Sequence, residues 1–214
     1  SRLAPLDIDT DGEPVEPPAA PATRSARSAG SGAIGGENRF LRGTLTHALL
    51  QYLPTCPAHG WSRAAQSFLE IRGHALPARV RASIIKETLA VLQAPNFAAV
   101  FGPRSRAEVA IVAEIPPPDG AGTPLRIAGQ IDRLVETDGE ILIVDYKTNR
   151  PPPRDLGEVP PAYIHQLAAY RMAVQRIFGA TKIRAALLWT DGPRLMEISE
   201  GILERAQSVL FTPN

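Results

Sequence analysis

Apolar residues recur along this chain first at intervals of three and four and then at intervals of two, so helices come first and a sheet follows. Phe40, Leu41, Leu45, Ala48, Leu49 and Tyr52 trace one face of a helix that begins near Glu37 and is stopped by Pro54 and Pro57. Trp61, Ala65, Phe68 and Leu69 predict a second helix over 61–73, and Val80, Ile84, Leu89 and Leu92 a third over 77–93. Pro77 suits the third, because the first turn of a helix needs no N–H at that point. The period then shortens. Stretches rich in Val, Ile and Leu at 107–115, 125–136 and 141–148 predict strands. The Asp138-Gly139 dipeptide closes a tight hairpin between the last two, which makes the three a meander. Helical spacing returns over 161–178, with Gly179 placed for a C-terminal cap. Strands are expected at 183–190 and 194–198, and a last helix at 200–210. That order predicts an α/β domain, a mixed central sheet flanked by helices.

Residues 1–36 are Pro, Ala, Gly, Ser and charge, with too little apolar surface to offset their ordering entropy. We read them as a flexible lead-in or linker, with 37–214 as the folded domain. The start at Ser1 rather than Met leads us to expect an upstream domain. With 214 residues, 44% of them hydrophobic, the chain can bury one sizeable core. A net charge of +1 argues against a strongly basic nucleic-acid binder working alone, but leaves room for an enzyme that receives its strand from a partner. The single cysteine, Cys56, excludes a disulfide framework and any four-cysteine zinc or iron–sulfur site, which suits a reducing cytoplasm. No apolar run approaches the roughly 20 residues that span a bilayer, so no membrane association is expected.

The chemistry concentrates between Gly129 and Lys147. Asp132 and Asp145 each interrupt an apolar strand, and Lys147 follows two positions after the second. Strand period places Asp145 and Lys147 on one face together with Ile141 and Ile143, so that face is apolar early and polar at its end. The hairpin can bring Asp132 alongside, subject to register. Two neighbouring carboxylates repel unless a cation intervenes. All-oxygen ligands favour Mg²⁺ or Mn²⁺ over zinc. Lys147 could then orient or help deprotonate an attacking water, or stabilise charge developing on a phosphate. The plain alternative is an Asp–Lys ion pair at a strand end, with Asp132 paired to Arg133 or Arg126.

Other candidates are weaker. His47 on the first helix reads alone as a core or surface histidine. His59, His74 and His165 have no partner spacing. Gln166 and Tyr170, four apart, share a helix face and could contact phosphate or base edges, or cap a polar part of the core. Glu114 could add an acid or be a structural charge. Lys147, Arg150 and Arg154 form a basic cluster that could meet a nucleic-acid backbone or simply be solvated. Trp61 and Trp189 are expected in the core.

Taken in order, Gly43-Thr-Leu-Thr-His47, Glu114-Ile-Pro, Gly129-Gln-Ile-Asp132-Arg-Leu, Val144-Asp145-Tyr-Lys147-Thr and Gln166-Leu-Ala-Ala-Tyr170 resemble the PD-(D/E)xK nuclease superfamily. The likeness is greatest to the C-terminal nuclease domains of AddA and RecB helicase–nucleases, AddA above all, and it spans roughly residues 37–210. It implies a restriction-endonuclease-like sheet and a metal-dependent DNA nuclease, acting as an exonuclease in double-strand break repair. It also implies His47, Asp132, Asp145 and the Tyr146 carbonyl as ligands of Mg²⁺ or Mn²⁺, with Lys147 as catalytic lysine and Gln166 and Tyr170 assisting at the site. The implied partners are single-stranded or unwound DNA, helicase domains upstream in the same chain and a second, AddB-like subunit, in the bacterial cytoplasm at the nucleoid. The rival classes are a non-catalytic DNA-binding scaffold that kept the fold and a free-standing restriction-type endonuclease.

Overall fold

A computed structural model describes residues 6–7, 31–118, 120, 122–179 and 181–211. Most of the lead-in therefore lies outside the described residues. The first helix, α1 (Ser31–Tyr52), starts six residues ahead of the expected Glu37. Its first residues, Ser-Gly-Ala-Ile-Gly-Gly, carry no three-and-four apolar repeat, so nothing in the pattern announces them. Helices α2 (Trp61–Arg72) and α3 (Ala78–Gln93) follow as expected.

One six-stranded sheet takes up β1 (Leu6–Asp7), β2 (Ser105–Ile115), β3 (Leu125–Thr137), β4 (Glu140–Lys147), β5 (Lys182–Trp189) and β6 (Arg194–Ile198). β2, β3 and β4 form the predicted meander, with Thr137 paired to Glu140 across the Asp138-Gly139 turn and Gly139 at φ 82°. Helix α4 (Pro161–Phe178) carries the chain from β4 to a parallel β5, and β6 returns antiparallel before α5 (Glu200–Leu210). The brief parallel pairing of β1 to Ile127 and Ala128 uses the edge of β3 that β4 leaves open.

Helices cover both faces. On one, α4 and α5 bury Leu167, Tyr170, Val174 and Leu203 against Ile131, Ile143, Leu187 and Trp189. On the other, α1, α2 and α3 bury Leu45, Leu49, Leu50, Leu69 and Ile84 against Val135, Val144, Tyr146 and Leu188. Each such side chain contributes roughly 1.5–3 kcal/mol of transfer free energy. Trp189 is fully buried, and Trp61 is half-buried with its indole N–H donating to the Cys56 carbonyl at 3.0 Å. The candidate site lies where these two layers meet the end of β4.

Candidate active site

Along β3 the alternation of faces breaks once. Ile131 and Leu134, three apart, both face α4, whereas Arg133 and Val135 face α1. The break falls beside Asp132. The antiparallel ladder to β4 stops at Arg133–Val144, one rung short of Asp132–Asp145. In place of that rung, the Tyr146 backbone N–H donates to Asp132 Oδ2 at 2.6 Å. On the other side of β3 the ladder to β2 omits the Glu108–Asp132 rung. Glu108 sits there at φ 53°, the one non-glycine residue with positive φ among the described residues. A left-handed backbone costs a glutamate on the order of 1 kcal/mol, and such strain collects at functional sites.

His47 enters from α1. Gly43 lies one turn earlier on the same helix face, and a Cβ there would sit 3.3 Å from Thr148 Oγ1, so its absence lets the helix pack close to the end of β4. His47 Nδ1 then lies 3.2 Å from Asp132 Oδ1. One ligand atom from each of His47, Glu108 and Asp132 falls within 4.8 Å of the others. Burial pulls the His47 imidazole pKa down, but the Asp132 carboxylate, helped by Asp145, outweighs it and holds the value at about 9.

Asp145 and Lys147 occupy the α4 side of β4, as strand parity predicts. Their ion pair is buried, with Nζ 2.8 Å from Asp145 Oδ2. The ammonium lies off the ideal hydrogen-bonding direction of that oxygen, which finds no well-aligned donor. Burial raises the Asp145 pKa, Lys147 opposes the rise, and Asp132 adds to it. The ammonium also donates to Gln166 Oε1 at 3.1 Å and lies 3.9 Å from the Tyr163 ring centroid. Gln166 Nε2 in turn donates to the Tyr170 hydroxyl at 3.3 Å, and burial pushes that phenol up to about 12.

These groups suit a divalent cation. Glu108 and Asp132 bring carboxylates to the His47 side of a site whose other acid, Asp145, is held by Lys147. Atoms within 4.8 Å of one another fit ligands that each stand about 2.0–2.6 Å from a common ion. Asp145 Oδ2 is a buried acceptor lacking an aligned donor. One imidazole among carboxylates admits Mg²⁺ and Mn²⁺ alike.

The structure thus gathers His47, Asp132, Asp145, Tyr146, Lys147, Gln166 and Tyr170 into one region. It separates others. Asp132 does not pair with Arg133, whose guanidinium donates instead to the Tyr146 hydroxyl at 3.0 Å and the Leu50 carbonyl at 2.7 Å. Glu114, weighed as a further acid, is exposed opposite Arg126, roughly 20 Å along β2 from Glu108 at ~3.3 Å per residue. Arg150 pairs with Glu87, and the exposed Arg154 with Glu158, so they form no joint cluster with the buried Lys147. His59 and His74 are exposed, and none of the three remaining histidines joins the metal-type cluster among the described residues. Glu108 is the residue that sequence reasoning missed. Counting back across the 115–125 connection places 108 opposite 132, a signal available once β2 and β3 are taken as an antiparallel pair.

The family model for the PD-(D/E)XK nuclease superfamily matches residues 27–208. The chain belongs to this superfamily. Over 170 residues it is 31% identical to the AddA component of the ATP-dependent helicase/nuclease of Moorella thermoacetica (strain ATCC 39073 / JCM 9320), a match covering 71% of this chain and 11% of that protein. Over 81 residues it is 38% identical to the AddA component of the ATP-dependent helicase/nuclease of Bacillus pumilus (strain SAFR-032), covering 35% of this chain and 7% of that one. The chain therefore spans about a tenth of the length of the curated relatives it matches. A crystal structure from Eubacterium rectale covers 88% of this chain and 65% of its own at TM-score 0.49 and 12% identity, too distant to bear on function.

In this PD-(D/E)XK domain the glycine at position 129 has a mechanical reason. A Cβ at Gly129 would lie 2.8 Å from Tyr170 Cε1 and 2.9 Å from its hydroxyl, closer than atoms tolerate. Gly129→Ala is expected to push the Tyr170 ring away, break its contact with Gln166 and loosen Lys147. The expected loss of stability is about 1–3 kcal/mol. Thermal melting and a crystal structure of the variant check this, and an unmoved Tyr170 would contradict it.

Proposed function

We propose that this domain is a metal-dependent deoxyribonuclease, the nuclease module of a larger helicase–nuclease that processes double-strand breaks for recombinational repair. The observation that carries the reading is the convergence of His47, Glu108 and Asp132 beside the buried Asp145–Lys147 pair. Membership of a nuclease superfamily and likeness to helicase/nuclease components support it.

His47, Glu108, Asp132 and Asp145, with the Tyr146 carbonyl, would hold Mg²⁺ or Mn²⁺. When bound, such an ion polarises the scissile phosphate, lowers the pKa of an attacking water and stabilises the leaving oxygen. Lys147 supplies a fixed positive charge at a site shielded from solvent, where it stabilises charge building on the phosphoryl oxygens or orients the water. Gln166 and the Tyr163 ring keep that ammonium in place, and Tyr170 steadies Gln166. His47 gives up its proton on ligation.

The near-neutral net charge suits a domain to which a strand is delivered rather than one that captures duplex unaided. We assign delivery of unwound single strand to helicase domains upstream in the same chain, acting with a second, AddB-like subunit, in the bacterial cytoplasm at the nucleoid. Cutting then proceeds as an exonuclease. No helix among the described residues is long and apolar enough to cross a membrane.

The test is incubation of the purified protein with linear and circular single-stranded DNA in Mg²⁺, in Mn²⁺ and in EDTA. Linear strands are expected to be degraded only with metal, and circles to resist. A folded protein that degrades neither substrate in either metal would sink the reading.

A further inference from the structure

Beside the site, two arginines share one near carboxylate. On α1, Arg42 NH2 lies 2.5 Å from Glu87 Oε2 of α3 and 3.4 Å from Ser83 Oγ. Ser83 Oγ donates to Glu87 Oε1 at 2.6 Å, and Arg150, three residues beyond Lys147, pairs with that same oxygen. Asp191 stands 3.8 Å from Arg150, at the limit of an ion pair. Arg42 is 8% exposed, yet its Nε finds no acceptor. A buried N–H without a partner is costly, more so on a charged group, so Arg42 holds an unmet donor beside the part-exposed Arg150.

The cluster is placed to meet a strand at the cleavage site. Gly43, next to Arg42, packs against Thr148, next to Lys147. Arg42 precedes His47 by five residues, roughly 7.5 Å along α1 and about 140° around it, so Arg42 faces α3 and the Arg150 loop while His47 faces the sheet. Arg150 keeps 39% of its side chain exposed, so one face of the pair is open.

We propose that Arg42 and Arg150 form a subsite for a DNA backbone phosphate flanking the scissile bond, and that Glu87 occupies Arg150 until the phosphate takes its place. Planar guanidinium groups suit bidentate contact with phosphate oxygens, and the exchange of a carboxylate for a phosphate leaves both arginines with a counter-charge. This rests on the nuclease reading above and goes beyond it by naming a strand contact and its gate.

The experiment follows binding of a fluorescent single-stranded oligonucleotide by anisotropy in Ca²⁺, over a range of salt, for the wild type, Arg150→Ala and Glu87→Gln. Arg150 is a loop residue, so its variant tests the contact without loss of the core. Arg150→Ala is expected to weaken binding roughly three- to tenfold, equally for different sequences, and to reduce the salt slope by about 1. Glu87→Gln is expected to tighten binding by a similar factor. Inorganic phosphate at matched ionic strength should compete no better than chloride, and strong competition would assign the pocket to a free anion and overturn the strand assignment. An unchanged slope in Arg150→Ala, or Glu87→Gln weakening binding as much as Arg150→Ala, also overturns it. Cleavage in Mn²⁺ is scored in parallel. A wild type that never cleaves but shows the Arg150-dependent slope removes the nuclease reading and leaves this subsite standing.

Discussion

Lys147→Ala is expected to lower metal-dependent cleavage by about a thousandfold or more while the protein stays folded. The lysine is the cation that faces the buried acids once His47 is neutral, and it is held from three sides by Asp145 at 2.8 Å, Gln166 at 3.1 Å and the Tyr163 ring at 3.9 Å. Its removal acts twice. The charge aimed at the phosphate is gone, and Asp145 loses the group that most strongly opposes the rise in its pKa, so burial carries that carboxyl further toward the neutral form. A protonated Asp145 is a poor ligand, and metal affinity falls with activity. The same escape limits the structural damage. An acid that takes up a proton no longer strands a buried charge, so the cost in stability stays near ~2 kcal/mol, below the roughly 3–5 kcal/mol of a pair broken with its partner still ionised. Lys147→Arg keeps the charge but spreads it over a planar fork in place of the compact ammonium, and is expected to rescue little. Single-turnover cleavage with saturating Mn²⁺, beside a urea melt, separates the two losses. Activity within about threefold of wild type in Lys147→Ala would remove this lysine from the chemistry.

How much of this was legible beforehand follows from which interactions are local. Helix α4 over 161–178, strand β6 over 194–198 and helix α5 over 200–210 lie where periodicity puts them, because each buries a single apolar stripe or face. Asp145 with Lys147, and Gln166 with Tyr170, follow from the periods of strand and helix. Glu108 did not follow. It and Glu114 both interrupt the same Val- and Ile-rich strand, and only the register of β2 on β3 and the left-handed backbone at Glu108 distinguish them. The pairing of Arg42 and Arg150 through Glu87 spans 45 and 63 positions, beyond the reach of any local pattern. Arg133 misled for the same reason. Its neighbour in sequence is Asp132, but the face reversal turns it toward Leu50 and Tyr146.

That reversal also makes Asp132 the hinge between protonation and metal. In EDTA, the wild type is expected to lose about 2–3 kcal/mol of stability from this site between pH 6.5 and pH 9.5. The sign follows from His47, whose pKa rises from 6.5 to about 9 on folding. A raised imidazole contributes its full stabilisation below pH 6.5 and loses it as the pH climbs through about 9. Asp132→Asn keeps an acceptor for the Tyr146 N–H but removes the charge that holds the proton on His47, so burial then dominates and the imidazole falls toward neutrality. The variant should therefore show little of that pH dependence in urea melts. Divalent metal reverses the trend. It competes with the His47 proton, so wild-type Mn²⁺ affinity should climb by up to about tenfold per pH unit below pH 9. Asp132→Asn, lacking a ligand, should bind Mn²⁺ more than about 100-fold more weakly at about pH 9, a gap that narrows as the pH falls because the variant has no His47 proton to displace. Calorimetry in buffers of different ionisation enthalpy reads the released proton directly. Mn²⁺ binding that releases no proton at pH 7.5 would show that His47 does not ligate.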